Sequence, residues 1–254
     1  MEHCQVLGLS IAATDMETAV EWVCGRLNEL KGTYLTFVNT HALVMAQESE
    51  KYRKVQKAAG GIFADGAPIA LYERWHGWPK AKRVAGPDFM EEIFKISSQK
   101  GYRHYFYGGS EETLVKLGIN LMRSYPGIKI AGMYSPPYER KLRKDYSEDI
   151  ARINAANADF IWVGLGAPKQ EFWMHRHKGK VCGVMLGVGA GFDFHSGMVR
   201  RAPEWMQRCG MEWFYRLMQE PGRLGKRYFK TNFKFIKLCL MELLKIKGNT
   251  YGND

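Results

Sequence analysis

No stretch of this sequence approaches the roughly 18 apolar residues that a membrane-spanning helix needs, so contact with a bilayer is expected only at its surface. No Asp-X-Asp pair occurs either, which removes the usual carboxylate clamp for a divalent ion on a sugar nucleotide. There is no P-loop lysine motif, no complete GxGxxG, no GxSxG elbow and no HExxH. His175-Arg176-His177 sends its two imidazoles to different faces of a helix, so a shared metal is not expected. The five cysteines, Cys4, Cys24, Cys182, Cys209 and Cys239, form no CxxC and no metal-like spacing. With Cys4 and Cys182 in apolar runs, they read as reduced core thiols of a cytosolic chain. Met1-Glu2-His3-Cys4 lacks a basic stretch followed by an apolar one, so no signal peptide is expected. The expectation is a chain without metal or cofactor, cytoplasmic or held peripherally at a membrane.

What is present is enough to fold. Over 254 residues, 46% are hydrophobic and 13% aromatic, sufficient for a packed core in one large α/β domain or two small ones. The net charge of +11 is unevenly spread. From Arg200 onward there are 12 Lys/Arg against 5 Asp/Glu, so +7 of it lies in that tail. A basic tail on a nearly balanced body points to a polyanionic partner, anionic lipid or nucleic acid, unless it is a solvated helix with no partner. The organisation expected is a catalytic domain over 1–199 and a helical, basic appendage over 200–254.

Short apolar runs alternate with amphipathic stretches. Val6–Ile11 reads as a strand, and Thr14-Asp15-Met16-Glu17 as a capping box opening a helix to about Leu30. Further strands are expected at Tyr34–Val38, Ile62–Ala64, Tyr105–Tyr107, Lys129–Met133, Phe160–Val163 and Val181–Val188, with helices from about Thr40 and Pro87. That alternation implies βαβ units and a mostly parallel sheet flanked by helices. Ligands of such sheets sit beyond the carboxyl ends of the strands. Beyond Pro203 the pattern turns helical. In its last segment Phe229, Phe233, Ile236 and Leu240 form an apolar stripe with Lys230, Lys234 and Lys237 beside it, as in interfacial helices. A helix packed on its own domain permits the same pattern.

The strand ends carry the candidate chemistry. Asp65, followed by Gly66, can present a carboxylate that takes a proton from an attacking hydroxyl; an Asp-Gly pair is equally an ordinary turn. Gly108-Gly109, Gly164-Leu165-Gly166 and Gly187-Val188-Gly189 allow backbone amides to approach phosphate, although each alone is also a tight turn. Lys169, Gln170 and Glu171 fall in the first turn of a helix, where a diphosphate would be welcome, and Asp193 can accept hydrogen bonds from ribose or uracil. If a diphosphate leaves, cations must stabilise it, and the candidates are Arg83, Arg200, Arg201, Arg216 and Arg223.

At these residues the sequence resembles the WecG/TagA/CpsF glycosyltransferases. The resemblance runs through Phe37-Val38-Asn39-Thr40-His41, Ala64-Asp65-Gly66, Arg83-Val84-Ala85-Gly86-Pro87-Asp88 and Gly164–Glu171. It continues through Gly187–Asp193, Arg200–Trp205, Glu212–Leu217, Glu220–Arg223 and Arg227-Tyr228. It implies a Rossmann-like, metal-independent transferase that moves N-acetylmannosamine or a related sugar from UDP to the 4-hydroxyl of GlcNAc on undecaprenyl diphosphate. It also implies Asp65 as the base, and an appendage bearing Arg216, Arg223 and Arg227 that completes the site and assists docking at an anionic membrane. Asn39, Thr40, Arg83, Gly108, Gly109, Gly166, Lys169, Gln170, Glu171, Gly189 and Asp193 make up the rest of the expected substrate site. One position departs from the family: where many members carry threonine two residues before the asparagine, this chain has Phe37, with Thr36 beside it. A nucleotide-binding module without catalysis, or a nucleic-acid binder using the tail, is the rival reading. No nucleic-acid partner is expected; a homo-oligomer is compatible with the sequence.

Overall fold

The computed structural model describes residues 1–137, 143–208 and 210–250. The chain opens with a hairpin, β1 (His3–Val6) and β2 (Leu9–Ala12). The single strand expected over Val6–Ile11 is therefore broken, because Leu7 and Gly8 take φ of 48° and 74° and turn the chain. Asp15, rather than Thr14, caps α1 (Met16–Gly25), its side chain accepting from Thr18 N. The helix stops at Arg26, and a short α2 (Leu27–Leu30) follows.

Next come β3 (Tyr34–Val38), α3 (Thr40–Glu48), α4 (Glu50–Lys57), β4 (Gly61–Ala64), α5 (Ala67–Trp75) and α6 (Gly86–Lys100). They are followed by β5 (Arg103–Gly108), α7 (Glu111–Ser124), β6 (Lys129–Tyr134), α8 (Ser147–Ala155), β7 (Phe160–Gly164), α9 (Lys169–Arg176), β8 (Val184–Gly187) and α10 (Gly191–His195). The chain closes with α11 (Glu204–Arg208), α12 (Glu212–Gln219) and α13 (Pro221–Thr250).

The sheet order is β1-β2-β4-β3-β8-β7-β5-β6, and every pairing except β1–β2 is parallel. This is the mostly parallel, helix-flanked α/β sheet that the alternation implied. A strand covered on both faces must be apolar at successive positions, and β3 and β8 are buried throughout. The pleat then divides the side chains. Phe160 and Trp162 point into a core with Phe63, Phe89 and Phe106, while Ile161 and Val163 point into another with Tyr107, Trp173 and Met185. Burying each such side chain contributes about 1.5–3 kcal/mol. Cys4 is in the core as expected, but Cys182 is exposed. Its strand begins only at Val184, and Cys182 sits in the preceding loop, its amide bonded to Asn154.

The third core cluster gathers Val38, Leu43, Ile62 and Tyr72, and it is closed by Phe235 of α13. Helix α13 lies on α3: Asn232 bonds Thr40, Thr231 meets His41, and Lys234 pairs with Glu48. Tyr72 of α5 donates to Glu242 of the same helix. On the opposite face Phe233, Ile236, Leu240 and Leu244 are 69%, 58%, 56% and 69% exposed. No described helix is long and apolar enough to cross a membrane.

Candidate active site

Four neighbouring strands, β4, β3, β8 and β7, end on one side of the sheet, and a cleft of about 530 Å³ opens there. Each strand delivers its sequence signal into it: Asp65 after β4, Asn39 after β3, Gly189 after β8 and Gly166 after β7. Thr40, Arg83, Gln170, Glu171, Asp193 and Arg216 line it as well. Two expected residues lie beside this cleft rather than in its lining. Strand β5 lies on the far side of β7, and Gly108 and Gly109 at its end stand behind Gly164, outside the cleft lining. Gly108 is glycine for another reason: at φ 115°, a Cβ there would stand 2.6 Å from the Gly164 carbonyl oxygen of the adjacent strand. Lys169 also stands outside the lining. Neighbouring residues on a helix diverge by about 100°, and Lys169 turns from Gln170 into a separate small crevice with Tyr107, Arg143 and Tyr146. The side chains of Arg223 and Arg227 lie outside the described residues.

Asn39 has two tasks. Its Oδ1 accepts from Ala42 N at 3.1 Å and caps α3, so its amide NH₂ is the group it can offer a ligand. Gln170 is fixed at both ends. Its Oε1 accepts from Gly189 N at 3.1 Å, and its Nε2 donates to Glu171 Oε1 at 2.9 Å. Glu171 is buried, its Oε2 has no hydrogen-bond partner, and burial pushes its carboxyl up to about 7.

Asp65 is half-buried at the cleft wall, its amide donating to Val38 O at 2.8 Å. Its carboxyl is pushed up to about 7, chiefly by desolvation. Arg83 and Arg201 pull it down, while Glu212 and Asp88 push it up. Those four side chains form an ion-pair ring beside it. Arg83 bonds Asp88 at 2.6 Å and Glu212 at 2.8 Å, and Arg201 pairs with Asp88 and bonds Glu212 at 3.2 Å. A carboxyl that titrates near neutrality, open to a cleft, suits proton abstraction from a hydroxyl.

The C-terminal segment supplies much of one wall. Arg201, Gln207, Glu212, Trp213, Arg216 and Asn232 line the cleft, and Arg201 and Arg216 both lie against the Phe194 ring, at 5.6 and 5.4 Å. Of these, the sequence offered the two arginines as candidate cations, and Glu212 and Trp213 only as members of a family motif. Phe37 faces the cleft and packs with Phe63 and Phe89, whereas Thr36 points to the other side of the sheet and donates to Gln56. No hydroxyl reaches the cleft from this stretch of β3. Among the described residues, no group of three or more His, Cys, Asp or Glu could hold a metal ion.

The sequence model of the glycosyl transferase WecG/TagA/CpsF family matches residues 4–249. The chain belongs to this family. Two similar proteins are both named N-acetylglucosaminyldiphosphoundecaprenol N-acetyl-beta-D-mannosaminyltransferase. The one from Bacillus spizizenii is 33% identical over 78% of this chain and 75% of its own length. The one from Bacillus subtilis is 34% identical over 76% of this chain and 73% of its own. A structure of the Gly74Cys mutant of arylmalonate decarboxylase aligns with 78% of this chain and 83% of its own at 13% identity, with a TM-score of only 0.23. The chain is accordingly a glycosyltransferase, and the cleft that collects the family's motif residues is its candidate active site.

Proposed function

We propose that this enzyme transfers N-acetylmannosamine, or a closely related sugar, from UDP to the 4-hydroxyl of GlcNAc on undecaprenyl diphosphate, with inversion at the anomeric carbon. The relatives' names supply the acceptor and the sugar. The observation that carries the mechanism is Asp65, a carboxyl at the mouth of β4 whose ordinary range is displaced to about 7 beside two arginines. In the transfer, the acceptor O4–H proton passes to the Asp65 carboxylate as O4 bonds the anomeric carbon. The bond from that carbon to the diphosphate oxygen breaks, and UDP leaves with the electron pair. Arg83, Arg201 and Arg216 line the cleft and would meet the charge on the leaving diphosphate, which supports proposing transfer without a metal ion. Asn39 and Gln170 hold the donor sugar, and Asp193 the nucleoside.

The acceptor's lipid keeps it in a bilayer, and the outer face of α13 suits that setting. Four large apolar side chains project there, with Lys230 and Lys237 on one flank, a pattern that binds the surface of an anionic membrane. The product would be the lipid-linked disaccharide used in teichoic acid or other cell-surface polysaccharide synthesis. Screening UDP-sugars with a short-chain GlcNAc-diphospholipid tests the reading. UDP release and a β-linked disaccharide from UDP-N-acetylmannosamine are expected; no transfer from any UDP-sugar to that acceptor would overturn it.

A further inference from the structure

The ring beside Asp65 joins distant parts of the chain. Arg83 precedes α6, Asp88 lies in its first turn, Arg201 precedes α11, and Glu212 opens α12. Each carboxylate spans both guanidiniums, and the four side chains are only 14–25% exposed. Two cations and two anions cancel. Arg83, Arg201, Glu212 and Asp65 all face the cleft, so the ring's neutrality is set within the site, and the C-terminal segment supplies both a cation, Arg201, and the anion that balances it, Glu212.

We infer that Glu212 is the positioning residue through which this segment acts on the reaction: seated between Arg83 and Arg201, it aims both guanidiniums and screens Asp65 from their charge, so that Asp65 works as a base only with α12 in place. The inference rests on the reading of Asp65 as the base. Its physical basis is the weak screening of charges inside a cleft that water only partly fills. Without the Glu212 carboxylate, two guanidiniums would share one remaining ring anion, Asp88. Asp65 would become their second partner, and a carboxylate held by arginine is a poor proton acceptor. A simple tether between segments would need neither a carboxylate bridging two cations nor a place in the cleft wall. Glu212 has both. The arrangement also keeps each guanidinium shared, so that either can swing toward a diphosphate as negative charge builds on it.

The test uses the full chain with two variants. Glu212→Gln keeps the shape and removes the charge. Glu212→Gln combined with Arg201→Gln makes the ring neutral again. The Asp65 carboxyl is followed by ¹³C NMR as pH is varied, its signal assigned by its loss in Asp65→Asn, and kcat and donor KM are measured over the same range. In Glu212→Gln the Asp65 midpoint and the acidic limb of kcat should both move to lower pH, by about one pH unit. Maximal kcat should fall about tenfold as the base weakens, with donor KM unchanged or lower. The double variant should return the Asp65 midpoint toward that of the parent. Lost activity with an unmoved Asp65 midpoint would make Glu212 a tether and overturn the inference. A moved midpoint with an unmoved kcat limb would leave the electrostatic coupling standing and refute Asp65 as the base. If Glu212→Gln does not fold, the double variant decides: a parental midpoint supports charge balance, and a lowered one overturns it.

Discussion

Gln170 accepts the Gly189 amide at 3.1 Å, tying the first turn of α9 to the loop after β8 and fixing which end of its side-chain amide faces which way. The Glu171 carboxylate on its Nε2 holds the same orientation from the other side. Gln170→Ala should therefore lose more than one substrate contact. It frees the Gly189 loop and leaves Glu171 buried without its donor, at a cost of about 1–3 kcal/mol in stability. A fall of about 10–100-fold in kcat/KM is expected. Urea unfolding and steady-state rates check the two parts separately, and wild-type values in both would refute the double role.

Two carboxyls in the cleft titrate near 7, and only one is assigned proton transfer. Asp65 must be ionised to act, so kcat/KM should rise with pH through about 7. Asp65→Asn should reduce kcat by at least about 100-fold and leave UDP affinity nearly unchanged by calorimetry. Glu171→Gln should keep the rising limb. If the limb vanished in Glu171→Gln and persisted in Asp65→Asn, the roles would be reversed.

Glu73 makes a different pH prediction. It is 0% exposed on α5, neither of its carboxylate oxygens has a hydrogen-bond partner, and burial raises its carboxyl to about 8. The folded state thus holds its proton more tightly than the unfolded chain. The stability it contributes is complete below its ordinary value of 4.5 and is lost progressively as pH rises to about 8. Glu73→Gln removes this dependence. Urea midpoints of parent and variant should diverge between pH 5 and pH 8, with the variant gaining relative to the parent as pH rises. A constant difference would show that Glu73 is ionised throughout.

The appendage should separate into two functions by mutation. Phe233→Ser with Leu240→Ser alters only the outer face of α13. It should abolish flotation with anionic vesicles while preserving turnover of a water-soluble acceptor. Removing everything from Pro203 onward takes Glu212, Trp213, Arg216 and Asn232 from the cleft. That should reduce soluble turnover by about 100-fold or more. Full turnover by the truncated chain would make the appendage an anchor alone.

Much of this was legible in the sequence, because a parallel sheet writes itself as apolar runs and collects its functional residues at their ends. Asp65, Asn39, Gly166 and Gly189 could be placed that way. That Gly108 and Gly109 stand outside the cleft lining could not be read, since strand order is not encoded locally and their turn looks like those of β7 and β8. The hairpin at Leu7-Gly8 was hidden because a turn with leucine at positive φ sits inside an apolar run. Glu212 stood in a family motif, but its role was hidden for a third reason: it meets Arg83 across 129 residues, and its partner choice is purely tertiary. Phe37 was visible only as a departure from the family, and its meaning required seeing that Thr36 faces the opposite side of the sheet.

Helix α3 is shared property. At its first residues it is capped by Asn39, whose side chain lines the cleft, and along its length it carries α13, whose far side is bare and apolar. One helix of nine residues thus touches both the floor that would receive the nucleotide sugar and the helix whose outer face would rest on lipid. A bilayer that tilts α13 would press on Thr40 and His41, one turn or less from Asn39. The enzyme would then register its landing on the membrane directly in the geometry with which it grips its donor.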